Sequence, residues 1–182
     1  MNAPRADRQL AQIAEVLSMA RAAGIDVWLR GGWAMDFFLG EVTRDHGDID
    51  WFAWARGAAA PAEGLRGLGY RPVPGPPADL QLDFAENGLD SGFTLLDTDS
   101  DRDGDGHGRV VVAGGPWAGT PWPDGMLDAE PGRIGDLVAP IVAPVVQIEI
   151  KRMMPVRDPA RPRRTKDAED IARLGAALRA AD

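Results

Sequence analysis

The stretch Gly31-Gly32-Trp33-Ala34-Met35-Asp36, followed by Arg44-Asp45-His46-Gly47-Asp48-Ile49-Asp50, decides how this chain reads. A glycine pair opens a helical segment, and two aspartates stand one residue apart at the start of an apolar run. In a strand, residues i and i+2 share a face, so Asp48 and Asp50 project together while Ile49 enters the opposite side. Two carboxylates held together repel unless a cation sits between them. Hard oxygen ligands of this kind suit Mg²⁺, which also draws oxygens from a substrate's phosphates. Gly31 and Gly32 lack Cβ atoms and precede a helix, so an anion can approach their main chain closely. Taken singly, each element has a plainer reading: a tight strand-to-helix turn, and two solvated acids at a strand entrance.

Outward from this stretch, apolar residues at Leu10, Ile13, Val16, Leu17 and Ala20 form a helical stripe over Asp7 to Ala23, which Gly24 ends. Val27-Trp28-Leu29 is a short strand, Trp33 to Leu39 a helix closed by Gly40, and Asp48 to Trp54 a strand. An Ala-rich helix then runs through Leu65 and ends near Gly69. After the breaker Gly75-Pro76-Pro77, the runs Leu80 to Glu86 and Leu89 to Leu96 flank Asn87-Gly88, the mark of a type I′ hairpin. Arg109 to Ala113 adds a third run, Pro116 to Pro123 reads as an ordered loop over the core, and Arg133 to Val142 as a further strand. Val145 to Met154 is a helix, Pro155 to Arg164 a basic, proline-broken connector, and Lys166 to Ala181 a last helix with Ile171, Leu174 and Leu178 inward. This order indicates an α+β (mixed α/β) fold with a mixed, mostly antiparallel sheet backed by helices. The expected organisation is a core over residues 1–142 and a C-terminal helical segment, 143–182, packed on it.

The formal net charge of −8 argues against a general nucleic-acid binder, which needs a basic footprint. It suits a cationic small molecule, and equally plain solubility. No apolar run approaches the ~20 residues that cross a bilayer, the first eight residues lack the apolar core of a secretory signal, and there is no cysteine for disulfides or thiolate metal sites. A cytoplasmic protein is the expectation.

The segment Leu29 to Trp51 resembles the N-terminal signature of the DNA polymerase β-like nucleotidyltransferase superfamily. More closely, it is similar to the small antibiotic nucleotidyltransferases: the aminoglycoside 2″-O-adenylyltransferase branch and its lincosamide-modifying relatives. Gly31-Gly32-Trp33-Ala34-Met35-Asp36, Leu39-Gly40, Thr43-Arg44 and His46-Gly47-Asp48-Ile49-Asp50 fall in that family's order and spacing. The resemblance implies that Asp48 and Asp50 hold two Mg²⁺ ions about 3.5–4 Å apart, that Gly31 and Gly32 cradle the phosphates of ATP or another NTP, and that Arg44 neutralises phosphate charge. Arg44's alternative is a surface salt bridge to Glu41 or Asp45. His46 is expected to order the turn. A third carboxylate on a neighbouring strand completes the family's metal site or serves as general base. The candidates are Asp83, Glu86 and Asp90, with Asp90 the best match; relatives carry a further acid where this chain has Gly92. Lys151 stands where the family has a lysine facing the nucleotide, with a solvated helix charge as the alternative. Lys166-Asp167-Ala168-Glu169-Asp170-Ile171 resembles the family's closing helix, its acids read as caps and surface charges.

The implied reaction transfers a nucleoside monophosphate, AMP if the donor is ATP, to a hydroxyl of a small, cationic, sugar-like antibiotic and releases pyrophosphate. Two rivals stay open. One is a toxin-like transferase acting on tRNA or protein, for which Arg161-Pro162-Arg163-Arg164 is the basic cluster in view. The other is a nucleotide-binding relative without catalysis. Asp97 to Gly106 imitates the first half of a calcium loop, but position twelve counted from Asp99 is Val110, where a Glu is required. Trp117 and Trp122 read as loop packing, with a substrate cleft as the alternative.

Overall fold

The computed structural model describes residues 4–99, 108–157, 160 and 164–181. Helix α1 (Arg5–Ala23) ends at Gly24 in the left-handed conformation, as a glycine C-cap does. It leads into β1 (Val27–Arg30), α2 (Gly31–Leu39), β2 (Asp48–Trp54) and α3 (Ala59–Gly67). Then come β3 (Arg71–Pro72), β4 (Gln81–Glu86), β5 (Leu89–Asp99) and β6 (Arg109–Val112). A two-stranded hairpin, β7 (Gly132–Ile134) and β8 (Leu137–Ala139), precedes α4 (Pro144–Arg157) and α5 (Thr165–Ala181).

The main sheet runs β1-β2-β5-β4-β3, with β6 also pairing with β5. All its pairs are antiparallel except β2 with β5. The turn between β4 and β5 is the expected one, with Asn87 at φ 52° and Gly88 at φ 75°. The expected mixed, mostly antiparallel α+β fold is what forms.

Alternation along the strands divides the sheet into two apolar layers. Leu29, Ile49, Trp51, Phe84 and Phe93 face α1, α2 and α3, where Ile13, Val16, Trp33, Phe37 and Leu65 are buried with them. Phe52 and Leu96 face the other way and pack with Val112, Trp122, Met126, Val142, Val146 and Ile150. The second layer stops short of the strand ends that carry Arg30, Asp48 and Asp50, which leaves a polar site at its rim.

Two expectations need correcting. Arg133 to Val142 is not one strand: it forms the β7–β8 hairpin, and Ile141 then bridges to Leu29 at the outer edge of β1. Pro155 does not break the helix before it, because α4 continues to Arg157; proline forfeits one hydrogen bond there, and Val146 and Ile150 already anchor the helix in the second core. Strand β3, with two residues, is too short to show a period in the sequence. The calcium-like run from 100 to 107 and the basic residues Arg161 to Arg163 lie outside the described residues. Among the described residues, no helix is long and apolar enough to cross a membrane.

Candidate active site

Strand register lines up the acids. Arg30 lies opposite Asp50 across β1 and β2, Asp50 opposite Gly92 across β2 and β5, and Gly92 opposite Asp83 across β5 and β4. One step along, Asp48 lies opposite Asp90. Asp48, Asp50, Asp83 and Asp90 all line one hollow of about 360 Å³. A Cβ at Gly92 would stand 2.9 Å from Asp83 Oδ1, and one at Gly75 would stand 1.9 Å from Oδ2, so the Asp83 carboxylate fills the space that two glycines leave. Gln81 Nε2 also donates to Asp83 Oδ1 at 2.7 Å. Glu86, three residues from Asp83 on the same strand, falls on the opposite face and accepts a bond from Asn87. Among the described residues no group of three or more His, Asp or Glu side chains gathers as a metal-holding set. The strand brings two carboxylates side by side, while Asp90 and Asp83 stand on the neighbouring strands.

Burial pushes the Asp50 carboxyl above the ordinary aspartate range. The Arg30 guanidinium opposes that rise, and the charge of Asp48 adds to it. Arg30 is itself fixed: Nη1 donates to Thr94 Oγ1 at 2.6 Å, and its guanidinium lies 4.6 Å from the centre of the Phe52 ring.

The two glycines of the opening motif do different things. Gly31 is the first residue of α2, has φ 65°, and a Cβ there would stand 2.9 Å from Asp50 Oδ2. It therefore brings the helix N-terminus against the carboxylate. At Gly32 a Cβ would stand 2.3 Å from His46 Nδ1 and 2.9 Å from Arg44 Nη2. The space beside Gly32 is filled by this chain's own side chains, so close packing accounts for that glycine.

His46 is buried and orders the turn, as expected. Arg44 Nη1 lies 3.1 Å from His46 Nδ1, and a guanidinium can only donate, so Nδ1 accepts. The ring is then neutral with its proton on Nε2, which donates to Asp36 Oδ2 at 2.7 Å. Asp36 is fully buried and also accepts from Thr43 Oγ1 at 2.6 Å and Thr43 N at 3.1 Å. Three donors from residues 43–46 thus converge on one helix carboxylate, and that fixes the loop delivering Asp48.

Arg44 pairs neither with Glu41 nor through a side-chain bridge with Asp45. Its Nε and Nη2 reach Asp170 of α5 at 3.3 and 2.9 Å. Lys151 Nζ also donates to Asp170, at 2.9 Å. The reading of Asp170 as a surface charge is wrong: it is 1% exposed. Asp167 caps the first turn of α5, accepting from Arg164 N at 3.3 Å, and pairs with Arg164 Nε at 3.0 Å. Asp167, Asp170 and Leu174 form a buried i, i+3, i+7 stripe, a helical signal present in the sequence.

Lys151 and Arg164 line a cleft of about 410 Å³ whose far wall is Gly31, Arg30 and Asp50. A second cleft of about 310 Å³ joins Asp48 and Asp50 to Trp117, Trp122, Met153 and Met154. Asp50 belongs to both and to the acidic hollow, so three depressions meet at one carboxylate. Arg30 and Arg164 were not among the site residues expected from sequence. Arg30 follows the expected strand Val27-Trp28-Leu29 and carries no motif of its own, and Arg164 reaches the site only because α5 starts beside α4.

Sheet order, the acid pair on β2 and the helix behind the glycine turn together make this the nucleotidyltransferase fold. The crystal structure of ANT(2'')-Ia in complex with adenylyl-2''-tobramycin superposes with a TM-score of 0.73 at 20% identity, covering 94% of this chain and 90% of that one. Lincomycin-bound lincosamide antibiotic adenylyltransferase LnuA gives a TM-score of 0.69 at 17% identity, covering 91% and 95%. A sequence model described as Aminoglycoside-2''-adenylyltransferase matches residues 12–99. A 2''-aminoglycoside nucleotidyltransferase of Klebsiella pneumoniae is 45% identical over 42 residues, 23% of this chain and 24% of that protein. One of Escherichia coli matches to the same extent. The match thus spans about a quarter of the length of these curated relatives. The resemblance to the small antibiotic nucleotidyltransferases, read from Leu29 to Trp51, holds.

Proposed function

We propose that this protein is a Mg²⁺-dependent nucleotidyltransferase that moves AMP from ATP to a hydroxyl of a small cationic antibiotic of the aminoglycoside class, releasing pyrophosphate. The observation that carries this reading is the meeting of three surfaces at Asp50: a cationic cleft, an aromatic cleft and an acidic hollow.

The donor set fits the metal. Mg²⁺ is commonly held by one or two carboxylates together with waters and substrate phosphates, and Asp48 and Asp50 are two hard oxygen ligands on one face of β2. They would hold the metal, which when bound offsets phosphate charge and makes the attacking hydroxyl more acidic.

The remaining work falls to this chain's own groups. Lys151 and Arg164 face Gly31 across the cationic cleft, a suitable wall for a triphosphate. The acidic hollow of Asp83 and Asp90 favours an amine-bearing acceptor and repels a second nucleotide. The acceptor oxygen attacks the α-phosphorus, the bond to pyrophosphate breaks, and the hydroxyl proton passes to a carboxylate of that hollow, Asp90 by resemblance. Catalysis in this scheme is mainly alignment and charge neutralisation.

The test incubates purified protein with Mg²⁺, α-³²P-labelled ATP and tobramycin or lincomycin in parallel. Label is expected on tobramycin, and Asp50→Asn should lower the rate by more than about a hundredfold while leaving the protein folded. Transfer to RNA or protein in place of either antibiotic would overturn the acceptor class. Unchanged turnover in Asp50→Asn would overturn the site.

A further inference from the structure

Asp170 is a buried acid that the proposed chemistry does not touch. It accepts from Arg44 at 2.9 and 3.3 Å and from Lys151 at 2.9 Å. Arg44 continues to His46, and His46 to Asp36. An unbroken line of polar contacts therefore runs from α2, through the loop before β2, across α5, to Lys151 on α4. Lys151 in turn lines the cleft facing Gly31 and Asp50.

Asp167 does not share this role equally, since it stands 3.8 Å from Lys151 and makes its short bonds to Arg164. A buried carboxylate is tolerated only with its counter-charges in place, and here two cations surround one anion. The trio of Arg44, Asp170 and Lys151 keeps a surplus positive charge. A lysine stem is long and flexible, with rotamer entropy to lose when its ammonium is fixed. A lysine already held in place loses less of that freedom when an anion arrives.

We propose that Asp170 is a positioning residue, which through Lys151 holds an ammonium at the cleft wall, ready for a phosphate of the nucleotide. This rests on the functional reading above, because the held ammonium needs a phosphate to meet.

The experiment measures binding of α,β-methylene-ATP with Mg²⁺ by calorimetry for four proteins: wild type, Lys151→Met, Asp170→Asn and the double variant. Each single change is expected to weaken binding about tenfold, and the double variant to bind no more weakly than Lys151→Met. Losses that add would overturn the proposal, since they would mean that Asp170 merely supports the fold. If Asp170→Asn does not fold, Asp170→Glu replaces it. Its longer stem should displace Lys151 and cost about threefold, an effect absent in the Lys151→Met background; wild-type affinity in Asp170→Glu overturns the idea. Wild-type protein that binds no nucleotide would overturn the functional reading and this inference together. Wild-type binding with Asp170→Asn unchanged would overturn this inference alone.

Discussion

At position 46 an imidazole lies against the backbone of Gly32, with room for no β-carbon between them. That contact explains why a glycine and a histidine fourteen residues apart occur in one motif. Glycine admits the ring, and the ring's Nε2–H donates a hydrogen bond to Asp36. Asp36 in turn is the sole carboxylate on α2, and its burial is tolerable because Thr43 and His46 supply three donors. Replacing Asp36 by Ala strands those donors in a buried site. The expected loss is about 3 kcal/mol of unfolding free energy, at about 1–3 kcal/mol for each group left unpaired. Urea unfolding monitored by tryptophan fluorescence measures it; a loss below about 1 kcal/mol, within the range of one ordinary hydrogen bond, would contradict the assignment. Of this cluster, sequence showed the residues and their order. It did not show that His46 is neutral, which depends on Arg44 reaching its Nδ1.

The strand-turn-helix unit of β1 and α2 shows how one backbone angle serves a site. Gly24 and Gly31 both sit near φ +65°, where a side chain costs roughly 1–2 kcal/mol. They differ in surroundings: a Cβ at Gly24 meets nothing within 4 Å, whereas one at Gly31 meets the Asp50 carboxylate at 2.9 Å. Gly24→Ala should therefore lower the melting temperature and leave turnover intact. Gly31→Ala should lower both, with at least about a tenfold drop in kcat from a displaced carboxylate. Equal activity in the two variants would show that the approach of α2 to Asp50 is not needed. Elements with a full period were legible from the chain: α1, β2, the β4–β5 hairpin and α5. Strand β3, with two residues, carries no alternation to detect. The β7–β8 hairpin escaped because three-residue strands around Gly135 resemble one longer apolar run.

Across the whole molecule, α5 closes the site by placing Asp170 against Arg44 and Lys151, and Asp167 against Arg164 just before the helix. Burial alone would raise the Asp170 carboxyl, but bonds from Arg44 and Lys151 outweigh it and hold it below its usual value of 3.8. Asp167 is lowered in the same sense, burial being outweighed by Arg164 and Lys151. A carboxyl lowered in the folded state stabilises the fold above its unfolded value. That contribution fades as pH falls below about 3.8 through the depressed value. Asp50 has the opposite sign, since its raised folded value favours the fold on acidification. Melting curves from pH 5 to pH 2.5 should show stability dropping below about pH 4, and Asp170→Asn should flatten that drop; an unaltered slope would rule out Asp170 as its source. The longer elements and the shared face of Asp48 and Asp50 were legible along the chain, because strand alternation and glycine stereochemistry are local. Which distant charges meet is a matter of packing. Arg44 of the loop before β2 and Lys151 of α4 meet Asp170 of α5 because the helices pack together on the sheet, whereas Arg164 finds Asp167 only three residues along. A charged side chain far along the chain leaves no periodic trace of the neighbour it will find.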